Sequence, residues 1–310
     1  MGRCPEILSR PFWRFSTLGH WTRRVYPVIT PVTNMTIPRS IYAQKLHEFA
    51  EFIFGDQLAF QHRGEWRRFF QERIGPTFDG RVILEIGCFD AADLSRIAAN
   101  HPHTAFVGLD WKCKALYDGG QRIAALGQGN IALLQARGQD LLKIFAPHEV
   151  NEIWVFHPDP CARDVELKNR LLAEPFLMDV HQVLADSAST LSLKTDHPGY
   201  YQWVLALLGL SEPLWFQTAH HRAGTNPAPS PDAPRVRARD LMPREQIPRP
   251  SAAVRSIFNV TMNSSDYWHD PAALAHSASQ CFSGELTVFE SRFVNKQLPI
   301  YYMALQKKGP

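Results

Sequence analysis

The strongest constraint on the fold is an alternation. Four short, largely apolar runs, at residues 82–87, 105–110, 131–135 and 152–156, and a fifth strand-like run at 189–195 are each followed by a segment of helical period, at 91–100, 114–126, 139–145, 165–184 and 200–208. Runs that are apolar without a break read as strands buried on both faces. Strands alternating with helices at this spacing predict βαβ units and an open, parallel, doubly wound α/β sheet with helices on both sides. Ligands of such sheets bind beyond the carboxyl ends of the strands. Glu85, Asp110, Asp159 and Asp196 all fall at those ends, more acid at one edge than a purely structural sheet requires.

The flanks are different in character. Residues 1–34 carry Arg3, Arg10, Arg14, Arg23 and Arg24 against Glu6, with Pro5, Pro11, Pro27 and Pro31 interrupting any helix, and no apolar stretch suits an export signal. They read as a basic, disordered arm or an over-extended start, with Met35 the candidate start. Residues 35–80 predict helices before the core, and 81–210 the core itself. Between Arg222 and Arg255 lie seven arginines, three acids and seven prolines, a composition that does not build a packed core; the segment 211–265 reads as an Arg/Pro-rich insertion. Residues 266–310 are expected to supply two closing strands, at 285–292 and 299–306, for seven in all. With 310 residues, 45% hydrophobic, 20% charged and a net charge of +3, neither a membrane span nor a fibrous repeat is expected. The five cysteines, Cys4, Cys88, Cys113, Cys161 and Cys281, contain no C-x-x-C pair. No disulfide framework or metal site is expected, and a reducing cytoplasm fits.

The first site candidate is Leu84-Glu85-Ile86-Gly87, with Asp110 ending the next strand. A glycine turn lets backbone approach a cofactor, and an acid at that place can accept the hydrogen bonds of ribose hydroxyls. Gly87 stands without the further glycines of G-x-G-x-x-G, since Phe89 and Ala91 follow. A pyrophosphate therefore has no obvious cradle. S-adenosylmethionine, a nucleoside without phosphate, is favoured over a dinucleotide.

Three further motifs occur in order: Phe156-His157-Pro158-Asp159-Pro160, then Thr195-Asp196 with Tyr200, then Thr287-Val288-Phe289-Glu290-Ser291-Arg292. Together with the upstream Leu-Glu-Ile-Gly they resemble the tRNA (guanine-N7)-methyltransferase family, whose patterns are F-P-D-P-W, T-D-x-x-x-Y and T-x-[FY]-E-x-[RK]. The resemblance implies a Rossmann-like class I methyltransferase fold and S-adenosylmethionine as cofactor. It implies that Glu85, Gly87, Asp110 and Asp140 bind the cofactor, that Asp159 is catalytic at the junction with substrate, and that Arg163, Asp196, Thr287 and Glu290 bind the substrate. Phe89 and Ala91 stand where the family has glycine, Arg137 where it has an acid, and Cys161 where it has tryptophan.

The residue types suit the chemistry. Guanine presents two donors, N1–H and the N2 amino group, on one edge, and a carboxylate can accept both. N7 carries an in-plane lone pair and needs no deprotonation, so orientation supplies most of the catalysis. The expected partner is tRNA, without membrane or metal. The alternatives are a small purine-like substrate, suggested by the thinned basic cluster of Arg163, Lys168 and Arg170, and a non-catalytic binding protein on the same fold, suggested by Phe89, Ala91 and Arg137.

Overall fold

The structure is a computed structural model that describes residues 10–15, 21–26, 41–161, 164–210 and 247–309. The chain divides into two units, Met1–Arg39 and Ser40–Pro310. In the first, where the sequence predicts no regular structure, β1 (Arg10–Phe15) and β2 (Trp21–Tyr26) pair antiparallel, from Arg10 opposite Tyr26 to Phe15 opposite Trp21.

The second unit begins with α1 (Ile41–Lys45) and a three-residue strand, β3 (Ile53–Gly55), followed by α2 (Trp66–Ile74). The alternation then runs β4 (Val82–Ile86), α3 (Ala92–Asn100), β5 (Ala105–Asp110), α4 (Cys113–Leu126) and β6 (Ile131–Gln135). It continues with α5 (Leu141–Ile144), β7 (Glu152–Phe156), α6 (Glu174–Val183), β8 (Thr190–Thr195) and α7 (Pro198–Leu207). After residue 246 come α8 (Ala252–Ile257), β9 (Phe258–Ser264), α9 (Pro271–Ser277), α10 (Val288–Val294) and β10 (Tyr301–Lys307).

The sheet order is β3-β6-β5-β4-β7-β8-β10-β9. Strands β3 to β8 are parallel, and β10 pairs antiparallel with both β8 and β9. Six of the eight strands, β4 to β8 and β10, stand where the sequence predicts them, while β9 and the short edge strand β3 were not expected. Side chains alternate between two cores, as the period of two requires. Val82, Leu84 and Ile86 join Ile153, Val155, Leu191 and Leu193 under α2, α6 and α7. Ile83, Phe106, Trp154 and Phe156 face the other way, onto Leu94, Ile97, Leu116, Ile123 and Phe282.

Two sequence expectations are corrected. Residues 285–292 are not a strand, because Thr287 and Glu290 form a reciprocal capping box that starts α10. The strand that completes the sheet is β9, inside the segment read as insertion. Its register places Tyr302 opposite Ser264 and Lys307 opposite Phe258. Phe258, Val260 and Met262 alternate with Asn259, Thr261 and Asn263, and as an edge strand β9 leaves the polar set exposed with Val260 and Met262 half-buried. The arginines at 235, 237, 239 and 244 lie outside the described residues.

Candidate active site at the carboxyl edge of the sheet

The chain order reverses between β4 and β7, and the crevice beyond their carboxyl ends is where such sheets bind ligands. After β4 the chain makes the turn 87–91. Gly87, Phe89 and Ala91 have φ of +87°, +50° and +51°, so all three lie in the left-handed region. The turn thus keeps glycine-like geometry with side chains in place, at a cost of roughly 1–2 kcal/mol for each non-glycine residue. Hydrogen bonds hold it: Gly87 N donates to Leu109 O at 2.7 Å, Ala91 N to Cys88 O at 2.8 Å and Phe89 N to Asp110 Oδ2 at 3.1 Å. From behind, α4 supports it at Gly119, where an added Cβ would lie 2.8 Å from Asp90 O.

Asp110 also accepts from Lys112 N at 2.8 Å through Oδ1. Each carboxylate oxygen therefore binds one backbone N–H and retains a lone pair for a ligand hydroxyl. Burial raises the Asp110 pKa against those hydrogen bonds. Glu85, one residue before the end of β4, is buried, and desolvation together with Asp93 and Asp110 pushes its carboxyl up to about 8, against the pull of His157 and Lys194. Beyond the ends of β5 and β6 lies a cleft of about 440 Å³ lined by Gln57, Phe60, Trp111, Gln135, Ala136, Arg137 and Asp140. Asp140 pairs with Lys143 at 2.7 Å. Arg137 and Asp140, the two candidates for the position after the third core strand, thus share one wall.

The donor set fits S-adenosylmethionine. Asp110 offers lone pairs to ribose hydroxyls, the cleft has room for a planar base beside Trp111, and Glu85, protonated up to about pH 8, has a carboxyl that a sulfonium cation would favour in its ionised form. The Cys88 thiol is buried and its pKa raised, which removes it as a thiolate nucleophile.

Beyond β7 the side chain of Asp159 is exposed, and its Oδ1 accepts from Cys161 N at 3.0 Å. Beyond β8, Asp196 is half-buried, with Oδ1 3.3 Å from His157 Nδ1. Arg163 lies outside the described residues. Thr287 and Glu290 are buried: Thr287 Oγ1 accepts from Glu290 N, and Glu290 Oε2 accepts from Thr287 N, both at 3.0 Å. The other oxygen, Glu290 Oε1, is 3.1 Å from Lys194 Nζ and 3.7 Å from His157 Nε2.

Lys194 and His157 are neighbours of Glu290 that the motif reading does not single out. Lys194 is fully buried, with its ammonium 4.2 Å from the Tyr267 ring centroid and 4.8 Å from that of Phe282, a cation–π cage. A lysine at an inward position of the run Leu-Ser-Leu-Lys-Thr is the signal that marks it. Burial lowers the Lys194 pKa although Glu290 opposes it. At Glu290 burial works in the other direction from Lys194, His157 and Thr287 N–H, which prevail and hold the carboxyl at about 2. Lys194, His157 and Thr287 N–H converge on Glu290 and hold its carboxylate in the ionised form opposite the Lys194 ammonium.

The turn at 87–91 and the Thr287–Glu290 segment are joined through α3. Both Asp93 oxygens accept from Val288 N at 3.3 Å. Arg96 pairs with Glu285 and donates to Leu286 O at 3.1 Å, while Asn100 donates to Glu285 at 3.1 Å. The structure therefore brings Glu85, Gly87 and Asp110 together on one side and Asp196, Thr287 and Glu290 on the other. Asp159 stands at the solvent edge after β7, and Asp140 lies across the cleft.

This strand order, with one antiparallel strand inserted beside β8 and acids gathered at the carboxyl edge, is the Rossmann-like sheet of class I methyltransferases. Residues 79–233, half of the chain, match the model of a family described as putative methyltransferase. The chain is 32% identical over 147 residues to a tRNA (guanine-N(7)-)-methyltransferase of Cytophaga hutchinsonii, covering 47% of this chain and 63% of the relative. It is 30% identical over 191 residues to the tRNA (guanine-N(7)-)-methyltransferase of Oenococcus oeni, covering 59% of this chain and 83% of that one. A solved structure titled "Structure of an Antibiotic Related Methyltransferase" aligns over 78% of this chain and 94% of its own at 13% identity, with a TM-score of 0.45. The chain belongs to this putative methyltransferase family, within its tRNA (guanine-N7)-methyltransferase branch. It spans less than two thirds of the length of several of these relatives, 63% of that from Cytophaga hutchinsonii and 64% of that from Christiangramia forsetii.

Among the described residues no helix is long and apolar enough to cross a membrane, and no cluster of His, Cys, Asp and Glu could hold a metal ion.

Proposed function

We propose that the chain transfers the methyl group of S-adenosylmethionine to N7 of a guanine in tRNA. The observation that carries the reading is the convergence, on one edge of a class I sheet, of the Glu85–Asp110 pair beside an open cleft with Asp159 and Asp196 beyond the two neighbouring strands. The names of the relatives supply the acceptor and the position methylated. When bound, the cofactor supplies an electrophilic methyl group: its carbon–sulfur bond breaks as the bond to N7 forms, and no proton has to move.

The protein's part is orientation and charge. Asp110 and Glu85 hold the cofactor side, with Asp140 and Arg137 at the far wall of the cleft. Asp159, exposed after β7, faces the developing positive charge on the purine, where a fixed carboxylate stabilises the transition state. Asp196 reaches solvent and accepts from the guanine edge. Thr287 and Glu290 act from behind it, since both are buried in the unliganded chain. Arg163 supplies a cation for the RNA backbone.

The test is 7-methylguanosine formation in bulk tRNA, read by mass spectrometry of nuclease digests. Asp159→Ala should reduce methyl transfer by about 100-fold or more while leaving the thermal midpoint of unfolding unchanged. Undiminished transfer in that variant would overturn the assignment.

A further inference from the structure

The residue that nothing in the motifs or in the family's names assigns is His157. It directly follows β7, with φ of +50°, and its N–H donates to Lys194 O at 2.7 Å, so the β7–β8 ladder continues one residue past the strand end. The left-handed backbone turns the imidazole inward instead of towards the crevice. Its side chain is only 7% exposed, packed with its ring 4.4 Å from that of Phe289 and 6.4 Å from that of Phe293, both on α10. From this position Nδ1 lies 3.3 Å from Asp196 Oδ1 and Nε2 3.7 Å from Glu290 Oε1.

We propose that His157 is a positioning residue for Asp196: in its protonated form the imidazole bridges Asp196 to the buried Lys194–Glu290 pair and holds that carboxylate towards the methyl acceptor. The inference rests on the reading of Asp196 as an acceptor-binding group. Only the imidazolium carries a proton on both ring nitrogens. A neutral ring turns a lone pair towards one of the two carboxylates, and the link is broken there. The longer contact to Glu290 is a charge contact rather than a hydrogen bond, and His157 Nε2, Glu290 Oε1 and Lys194 Nζ all lack a well-aligned hydrogen-bond partner. Their mutual hold is therefore electrostatic and depends on charge.

The charges facing the ring come from every element packed on it. Asp196 and Lys194 belong to the β8 end, Glu290 to α10 and Glu85 to β4, while Asp159, two residues along, is turned to Cys161 N. With Glu85 protonated, Lys194 faces Glu290 while Asp196 and Glu290 both face the ring, and the imidazolium supplies the second positive charge. Burial works against that charge, but the hydrogen bonds and charges of Asp196 and Glu290 outweigh it and raise the His157 pKa. A group whose pKa is raised on folding holds its contacts at low pH and loses them as pH rises through the raised value. The bridge is thus present at the acid side of neutrality and is released on the alkaline side.

The test combines an NMR titration of the His157 imidazole with steady-state methyl transfer to bulk tRNA across pH. In the wild type, His157 should titrate above the ordinary histidine value of 6.5, and Asp196→Asn should move that midpoint down. The KM for tRNA should rise about 10-fold across the same midpoint, the size of one lost orienting hydrogen bond, with kcat changed much less. His157→Gln should hold KM at the elevated level with no dependence on pH in that range. His157→Phe keeps the packing on Phe289 and Phe293 and should show the same flat profile with an unchanged unfolding midpoint, which separates positioning from folding. A His157 midpoint indifferent to Asp196→Asn, or a His157→Gln enzyme with the wild-type KM profile, overturns the proposal. If the wild type methylates no guanine in tRNA, the proposed function falls, and the titration alone decides the bridge: a lowered midpoint in Asp196→Asn sustains it and an unchanged one refutes it.

Discussion

Glu85 shows how one buried carboxylate can link stability to ligand binding. Its carboxyl titrates at about 8 because desolvation, Asp93 and Asp110 all disfavour the charge. Between the ordinary value of 4.5 and 8, the folded chain keeps a proton that the unfolded chain releases, so stability falls as pH rises through that window. Glu85→Gln should raise the unfolding free energy at pH 8 by roughly 1–3 kcal/mol, checked by urea denaturation. The same substitution should weaken S-adenosylmethionine binding in calorimetric titration, because a sulfonium favours the ionised form, and wild-type affinity should rise as pH passes about 8. At the same scale, Phe89 and Ala91 lie where glycine is expected, yet their φ values are those a glycine would adopt. The glycine signal was lost from the turn while its backbone geometry was kept by Asp110, Leu109 and the close approach at Gly119.

Among the elements, α10 carries the clearest lesson. Thr-Val-Phe-Glu-Ser-Arg-Phe-Val is rich in β-formers, and propensity alone favours a strand. The capping box decides otherwise, since Thr287 and Glu290 satisfy each other's backbone N–H and Asp93 on α3 accepts from Val288 N. Thr287→Ala should cost about 1 kcal/mol, read as a lower urea midpoint, while Thr287→Ser should restore most of it. Loss of the cap also loosens Glu290 at the ion pair, so the two variants should differ in KM for tRNA in the same order. The contacts of Lys194 and His157 appear when β7, β8 and α10 are packed together, because they join residues from 39 to 133 positions apart in the chain.

For the whole molecule, the two units predict separable behaviour. Residues 40–310 contain the complete eight-stranded sheet and both of its cores, and a domain with its own core folds by itself. Removing residues 1–39 should leave the thermal midpoint within about 2 °C and cofactor binding unchanged. A large loss of either would show that the first unit contributes to the fold of the second.

The sequence by itself determined the order of strands and helices through the core, the doubly wound class and the acids at the carboxyl edge, because hydrophobic period and strand-end position are local properties of the chain. Asp110, Asp159 and Asp196 stand where that reading placed them. Only the tertiary structure decided that 258–264 rather than 285–292 forms a sheet strand, that Glu290 is buried on Lys194, and that His157 turns inward to meet Asp196. Those outcomes depend on caps and on charges brought together from distant segments. Desolvation makes such pairings decisive, and no pattern of spacing along the chain records them.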